Sequence, residues 1–199
     1  MYINNIIQIK KDRYKVLTDE GIAFVLYKGD LLKFNIVSNM EIDDKTYNEI
    51  QDMLYKRGKE RILYLLDTRD YSSYEIFGKL LDNGYTRDVA TRVRDEMVNK
   101  GFVNDEEYVK RYIRKHIENK PKNKVILELK NKGIPDDIIS SGFESMDKNL
   151  IESKAIEGIN KILLKKNYSK DDFSYEEREK LKGYLYRKGY DMDLINRCM

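Results

Sequence analysis

Positive charge is concentrated between residues 110 and 132 of this chain. The segment has nine basic and two acidic residues, a net charge of +7, whereas the whole chain carries +3 and the remainder therefore −4. A local excess of this kind favours binding to an anionic macromolecule, with an affinity that falls as the salt concentration rises. The candidate binding residues are Lys110, Arg111, Arg114, Lys115, Lys120, Lys122, Lys124, Lys130 and Lys132, with Arg87, Arg92 and Arg94 close by in sequence.

Three of these lysines stand in the sequence KPKNK, residues 120–124, where a helix is predicted to begin. Lysines at a helix N-terminus oppose the helix dipole, so a stability argument would not place them there. The exposed N–H groups of such a helix, flanked by lysines, suit a phosphate or the carboxylates of a partner. The alternative is a solvated face on which the charge bias is incidental.

Residue types that could support catalysis are sparse or otherwise explained. The chain has one histidine, His116, which falls on an apolar helical stripe, and one cysteine, Cys198, next to the C-terminus. Carboxylate pairs such as Asp136-Asp137 lie at predicted helix starts, where they act as caps. The sequence has no zinc-type ligand spacing, phosphate-binding glycine loop or esterase motif. We therefore predict no catalytic residues, no metal and no cofactor.

The elements that must position the basic residues are helices arranged in a repeat. Aligning the chain on Gly84, Gly133 and Gly189 places a leucine four residues before each glycine, an apolar residue directly after it and an aspartate four residues after it. Glycine ends a helix in the left-handed conformation, and the aspartate suits the first turn of the next helix. Capping boxes at Ser72 and Ser174 mark the helix starts before two of these glycines.

Another amphipathic helix precedes each glycine-terminated one, so the unit is predicted to have three helices and to occur three times. Such arrays form elongated, curved rods with a long concave surface. The predicted divisions are an N-terminal β ribbon over 1–42, a linking helix over 43–56, and three-helix repeats over 57–103, 104–146 (the basic one) and 147–199.

The first 37 residues differ from the rest, because Ile, Val, Tyr and Phe occur there in short runs separated by glycine-containing turns. This pattern predicts hairpin strands at Ile3–Ile9, Tyr14–Leu17, Ile22–Tyr27 and Leu31–Ile36. A ribbon of this size is unstable alone, so it is expected to pack on the helices or to act as a docking arm. From Asp43 the spacing becomes helical, which predicts a long helix over 43–67, with a possible bend at Arg57-Gly58.

The composition fits this mainly α fold with a small N-terminal β ribbon. Charged residues make up 37% of the chain, and it contains 2 Pro and 11 Gly, which favours long solvated helices. A single cysteine suits a reducing compartment, and no stretch approaches the roughly 20 apolar residues of a membrane span. We expect a cytoplasmic monomer.

Two stretches carry a family resemblance. FVNDEEYVKRYIRKHIENKPKNKVILELKNKGIPDDII, residues 102–139, resembles the central motif of the RecX regulatory proteins, and ILYLLDTRDYSSYEIFGKLLDNGY, residues 62–85, is similar to their first repeat. In the second stretch Tyr64, Leu65, Arg69, Ser72 and Glu75 stand in the expected places. The chain departs from the family pattern at KPKN, where members often carry Gly and Arg, and at Asn104, where Asp is common.

The resemblance spans residues 14–195 and implies a regulator of the RecA recombinase. Members are thought to lie in the groove of the RecA filament on single-stranded DNA and to reduce strand exchange, ATP turnover and co-protease function. The implied partner is the RecA filament, and the implied setting is homologous recombination, DNA repair and the SOS response. An alternative from the charge alone is a stand-alone module that binds single-stranded nucleic acid and competes for DNA.

Overall fold

The N-terminal region folds as a small antiparallel sheet. A computed structural model of the chain describes residues 1–19 and 21–199, except for the side chain of Ile22. The sheet has the strand order β3-β2-β1-β4. Its strands are β1 Tyr2–Lys10, β2 Arg13–Thr18, β3 Gly21–Tyr27 and the two-residue β4 Met40–Glu41. Three of the four predicted strands are thus confirmed.

The fourth predicted strand, Leu31–Ile36, is wrong, because this segment belongs to helix α1, Lys28–Lys33, and the turn that follows it. The Asp30 carboxylate accepts a hydrogen bond from the Tyr27 N–H at 2.9 Å and so stabilises the first helical turn. Arg57 clamps the same carboxylate through two bonds of 2.5 and 2.7 Å. A contact 27 residues away along the chain therefore selects a helix where the local pattern favoured a hairpin.

The sheet packs on the helices, which is one of the two arrangements expected for it. Ile3, Val16, Phe24 and Leu26 are buried in the same core cluster as the helical residue Ile50. Their neighbours along the strands are half-buried or exposed, so the most buried face of the sheet lies on the core.

Helix α2, Asp44–Thr68, is continuous, as predicted, and passes through Gly58 without a break. Asp43 caps it by accepting a hydrogen bond from the Thr46 N–H at 2.7 Å. A Cβ at Gly58 would lie 3.0 Å from the Val93 side chain, so glycine lets this helix approach its neighbour closely. Packing therefore explains a residue that the sequence pattern marked as a possible bend.

The remaining helices follow the predicted repeat. They are α3 Ser73–Asp82, α4 Arg87–Asn99, α5 Asp105–His116, α6 Lys122–Asn131, α7 Asp136–Glu144, α8 Lys148–Lys165, α9 Tyr175–Lys188 and α10 Met192–Cys198. Gly84, Gly133 and Gly189 have φ angles of 83°, 71° and 103°, the left-handed conformation predicted for each joint.

The hydrogen bonds at the three joints are the same. The N–H of the residue after each glycine donates to the leucine carbonyl five residues earlier: Tyr85 to Leu80 at 3.2 Å, Ile134 to Leu129 at 3.2 Å and Tyr190 to Leu185 at 3.3 Å. This bond satisfies a carbonyl that the end of a helix would otherwise leave without a partner. The tandem repeat predicted from sequence is therefore a repeat of backbone geometry.

Three further helix starts agree with the sequence. Reciprocal capping boxes join Ser72 to Glu75 and Ser174 to Glu177. Asn104 caps α5 by accepting a bond from the Glu107 N–H at 3.0 Å. In contrast, α6 begins after Pro121 and α7 after Pro135, both with no side-chain cap. The prediction that Asp136 and Asp137 act as caps is therefore wrong, because both lie inside the first turn of α7.

The chain forms two compact units, Met1–Val103 and Asn104–Met199. The first contains the sheet and α1 to α4 around one core. The second contains one core cluster under α5 to α7 and another under α8 to α10. The finer division into a ribbon, a linking helix and three repeats stays a prediction, as does the elongated array.

Candidate polyanion-binding surface

Helix α5 presents basic residues on the side opposite to its core contacts. Val109 and Ile113 are fully buried, whereas Arg111, Arg114 and Lys115 are exposed. Amphipathic spacing causes this separation, because residues three and four apart lie on the same helical face. Lys110 lies at the edge of this face and pairs with Glu107 at 2.8 Å. The structure therefore brings four predicted site residues onto one outward side of α5.

Lys120 belongs to a network between α5 and α6. The Glu128 carboxylate accepts bonds from Lys120 Nζ at 2.7 Å and from the Tyr112 hydroxyl at 2.8 Å. Burial raises the pKa of Glu128, but the bonds from Lys120 and Tyr112 outweigh it and lower the pKa below its ordinary value. Glu128 therefore stays ionised and holds Lys120 against the helix pair, which reduces the charge that Lys120 offers to a partner.

His116 packs in this network as a half-buried helix residue, as predicted. Its ring centroid lies 4.2 Å from that of Tyr112. Burial lowers the pKa of His116, and the positive charge of Lys120 lowers it further. The imidazole is therefore neutral near pH 7 and adds no charge to the surface.

Lysines along α6 and at its C-terminal end contact two different neighbouring helices. Lys122 lies 5.4 Å from the Phe143 ring centroid, and Lys130 pairs with Asp136 at 2.8 Å, so both face α7. Lys132 instead lies 5.7 Å from the ring centroids of Tyr108 and Tyr112 on α5. The structure therefore divides these lysines between the side of α6 that faces α7 and the side that faces α5.

The start of α6 lies against the third joint. A Cβ at Gly189 would lie 3.1 Å from the Lys124 amide nitrogen and 3.5 Å from Pro121 Cβ. The Asn123 side chain donates to the Asp191 carboxylate at 2.8 Å. An acid of the third copy therefore lies beside the helix end that the sequence marked as an anion site.

A groove between α8 and the α5–α6 connection, termed the α8 groove, contains basic residues that were not predicted from the sequence. Two cavities of about 170 and 320 Å³ share Asn119, Pro121, Ile162 and Tyr190 in their walls. The α8 lysines Lys154, Lys161 and Lys165 line the groove along about 16 Å of helix. Lys120 lines it as well, so the fold brings a predicted site residue to the basic face of α8.

The two ends of this groove differ in charge. Glu118 and Glu157 lie at the end near Lys154, which pairs with Glu157 at 3.2 Å. At the other end Lys166 and Lys188 lie 5.5 and 5.4 Å from the Tyr184 ring centroid. Among the residues that the structure describes there, none lining this end is acidic. The groove is thus most positive near Tyr184.

Gly158 shapes this groove, and the spacing of the lysines that line it could have revealed the groove from the sequence. A Cβ at Gly158 would overlap the Tyr190 side chain, so glycine is needed for Tyr190 to approach α8. Lys154, Lys161 and Lys165 are separated by seven and four residues, which places them on one helical face. The acidic residues among 147–157 offset the charge of these lysines when charge is summed along the chain, so the sum does not reveal a basic helical face.

The remaining predicted site residues lie on α4 in the first unit, and each contacts an aromatic ring. Arg92 lies 4.5 Å from the Tyr55 ring centroid and 3.5 Å from the Asp52 carboxylate. Arg87 and Arg94 lie 5.6 and 5.5 Å from the Phe77 ring centroid. Cation–π contacts hold these guanidinium groups at the surface of the first unit.

The described part of the chain contains no cluster of His, Cys, Asp and Glu that could hold a metal ion. None of the helices in residues 1–19 and 21–199 combines the length and apolar character that a membrane crossing requires.

Comparison with known proteins places these features in a family. Residues 156–199 match the model described as RecX, third three-helix domain. The regulatory protein RecX of Legionella pneumophila (strain Corby) is 32% identical over 136 residues, covering 68% of this chain and 87% of that protein. The regulatory protein RecX of Bacillus subtilis (strain 168) is 29% identical over 192 residues, covering 94% of this chain and 71% of that protein.

Solved structures agree on the fold. A crystal structure of regulatory protein RecX aligns with a TM-score of 0.67 at 19% identity and covers 99% of this chain and 98% of that one. RecX from Lactobacillus salivarius aligns with a TM-score of 0.64 at 21% identity, covering 74% and 95%. The three glycine joints, the helix order and the similarity to the Legionella relative lead to one conclusion: this chain belongs to the RecX family of regulatory proteins.

Proposed function

We propose that this protein regulates the RecA recombinase by binding in the groove of the RecA filament on single-stranded DNA. Bound there, it mostly inhibits strand exchange, ATP turnover and co-protease activity, and so acts in recombination, DNA repair and the SOS response. It acts as a cytoplasmic monomer. Membership of the RecX family carries this proposal, since the relatives are named regulatory proteins.

Two basic surfaces of the second unit support binding to an anionic filament. One is the outward side of α5, where Arg111 and Arg114 are exposed. The other is the α8 groove, where Lys161 and Lys165 lie on one helical face. Exposed cations accelerate and orient the approach to an anionic partner, and salt weakens their effect.

The α8 groove also favours a second candidate function, a stand-alone module that binds single-stranded nucleic acid. A positive groove lined by an aromatic ring is typical of proteins that bind a single-stranded phosphate backbone. Tyr108 does not contribute base stacking, because its ring is buried, and the hydroxyl of Tyr112 is bonded to Glu128. Tyr184 is half-buried beside two lysines and is the better placed ring.

The test is ATP hydrolysis by RecA filaments on single-stranded DNA, titrated with this protein at two salt concentrations. We expect inhibition by the wild type, and weaker inhibition by the double variants Arg111→Glu with Arg114→Glu and Lys161→Glu with Lys165→Glu. The matched control reverses the exposed residues Lys10 and Lys11 to Glu, which changes the net charge equally on the N-terminal sheet. Inhibition that is absent in the wild type would refute the proposed function.

Binding to bare and RecA-coated oligonucleotides separates the two candidate functions. Preference for coated DNA supports filament recognition. Equal affinity for both, with the Lys161 and Lys165 double variant impaired on both, would instead favour the nucleic-acid module.

A further inference from the structure

A narrow cleft in the first unit gathers three arginines, one from β2 and two from α2. Its walls come from the start of β2, the end of β3, one face of α2 and the α3–α4 joint. The cleft has a volume of about 30 Å³, enough for one small group. The polar side chains that line it are Arg13, Tyr27, Arg57, Arg61, Asn83 and Tyr85.

Two of the three guanidinium groups are explained by the fold. Arg57 forms its bidentate pair with Asp30 and lies 5.4 Å from the Tyr27 ring centroid. Arg13 donates to the Asn83 carbonyl oxygen at 2.5 Å, where α3 ends. Both interactions join the N-terminal sheet and α1 to the helices, so stability accounts for these two arginines.

Stability does not account for Arg61. It is exposed and stands one helical turn after Arg57, so two like charges face each other at an i,i+4 spacing. Such a pair destabilises a helix by a few tenths of a kcal/mol. In the part of the chain that the structure describes, no carboxylate lies within ion-pair distance of Arg61. Because Asp30 neutralises one of the three guanidinium groups, about two positive charges in the cleft have no counter-charge.

Tyr85 adds a hydroxyl donor to the same wall. Burial raises the pKa of Tyr85, and the positive field of Arg61, Arg57 and Arg13 opposes that rise. The phenol is therefore protonated at neutral pH and can donate a hydrogen bond. Its ring packs against the core, which fixes the position of the hydroxyl.

We propose that this cleft binds a phosphate group through Arg61, Arg13 and the Tyr85 hydroxyl. A phosphate dianion matches the excess of about two positive charges, and its tetrahedral oxygens can accept bonds from donors that converge from different elements. The volume admits a phosphate group but not a nucleoside, so recognition is limited to the anion. The site is independent of the proposed function, because its residues belong to the first unit, whereas α5 and α8 belong to the second.

The test is thermal unfolding of the full-length protein in phosphate and in chloride at equal ionic strength and pH. Phosphate at about ten times its Kd raises the Tm of the wild type by about 3–5 °C relative to chloride. Arg61→Gln abolishes this shift and, in chloride, raises the Tm by about 1 °C, since it removes a like-charge pair. Tyr85→Phe, which keeps the packed ring, reduces the phosphate shift.

Lys56→Gln is the matched control, because Lys56 is exposed on the same helix and lies outside the cleft. It is expected to keep the full phosphate shift. An equal shift in the wild type and Arg61→Gln would reveal a general salt effect and overturn the proposal.

The source of the phosphate is tested with two short oligonucleotides that differ in a 5′-phosphate or a 5′-hydroxyl group. An Arg61-dependent Tm shift with inorganic phosphate identifies free phosphate as sufficient. A shift with the 5′-phosphorylated oligonucleotide alone identifies a nucleic-acid end. Absence of an Arg61-dependent shift with every probe refutes the site, while RecA inhibition by the Arg61→Gln variant would still report on the proposed function separately.

Discussion

We predict that close packing of strand β3 on the first glycine joint stabilises the N-terminal sheet. The substitution Gly84→Ala tests this directly. Gly84 has a φ angle of 83°, and a Cβ at this position would overlap the Val25 side chain on β3. The Gly84 carbonyl also accepts the Val25 N–H at 3.2 Å. Alanine therefore introduces backbone strain and pushes the strand away from the joint.

The cost can be worked out from these two effects. A left-handed conformation costs an L-residue about 1–2 kcal/mol. Overpacking against a core neighbour costs a further 1–3 kcal/mol or so. We therefore expect Gly84→Ala to lower the free energy of unfolding by about 2–5 kcal/mol.

Two other glycines provide matched controls. Gly101 has a φ angle of 73° with nothing within 4 Å of an added Cβ, so Gly101→Ala should show the strain alone, about 1–2 kcal/mol. Gly78 lies inside α3 with open space around it, and Gly78→Ala should stabilise the protein by about 0.5–1 kcal/mol.

The assay is urea unfolding of the full chain, followed by far-UV circular dichroism, with amide exchange of Val25 as a local probe. A lower urea midpoint for Gly84→Ala than for Gly101→Ala, with faster exchange at Val25, is the expected result. If the two variants lose the same free energy, Val25 does not rest on the joint and the reasoning fails.

Three further predictions concern caps, the α8 groove and acid stability. Ser72→Ala should lower the free energy of unfolding by about 1 kcal/mol in urea titrations, because the capping box of α3 is lost. Gly158→Ala should displace Tyr190 from α8, which a change in its aromatic NMR signals would report. Burial raises the pKa of Asp30, but the bonds from Arg57 and the Tyr27 N–H outweigh it and lower the pKa. The stabilisation is thus present above about pH 4 and is lost as the pH falls through the folded-state pKa, so the deficit of Asp30→Asn in the urea midpoint should shrink on acidification.

Features set by neighbouring residues could be predicted from the sequence. The joints need glycine and an apolar residue beside it, and the capping boxes need two side chains three positions apart, so a short stretch specifies each one. The predicted strand at Leu31–Ile36 failed because its conformation depends on Arg57, far along the chain. Local patterns cannot report a charge pair formed by tertiary packing.

The basic surface shows the same limit. Charge counted along the chain identified α5, whose Arg111 and Arg114 are exposed. It could not show that Lys120 joins Lys161 in one groove, since packing of the second and third copies brings them together. Nor could it show that Glu128 already holds Lys120.

The missing cap of α6 has a structural explanation in the joints themselves. At the first joint, Gly84 packs against Val25 of the sheet. At the third joint, Gly189 packs against Pro121 and the Lys124 amide at the start of α6. The Asp191 carboxylate, which accepts a hydrogen bond from the Asn123 side chain at 2.8 Å, lies beside this helix start, where the helix dipole favours negative charge. Neither Lys122 nor Lys124 supplies a side-chain cap for α6. Their binding to an anionic partner stays a prediction.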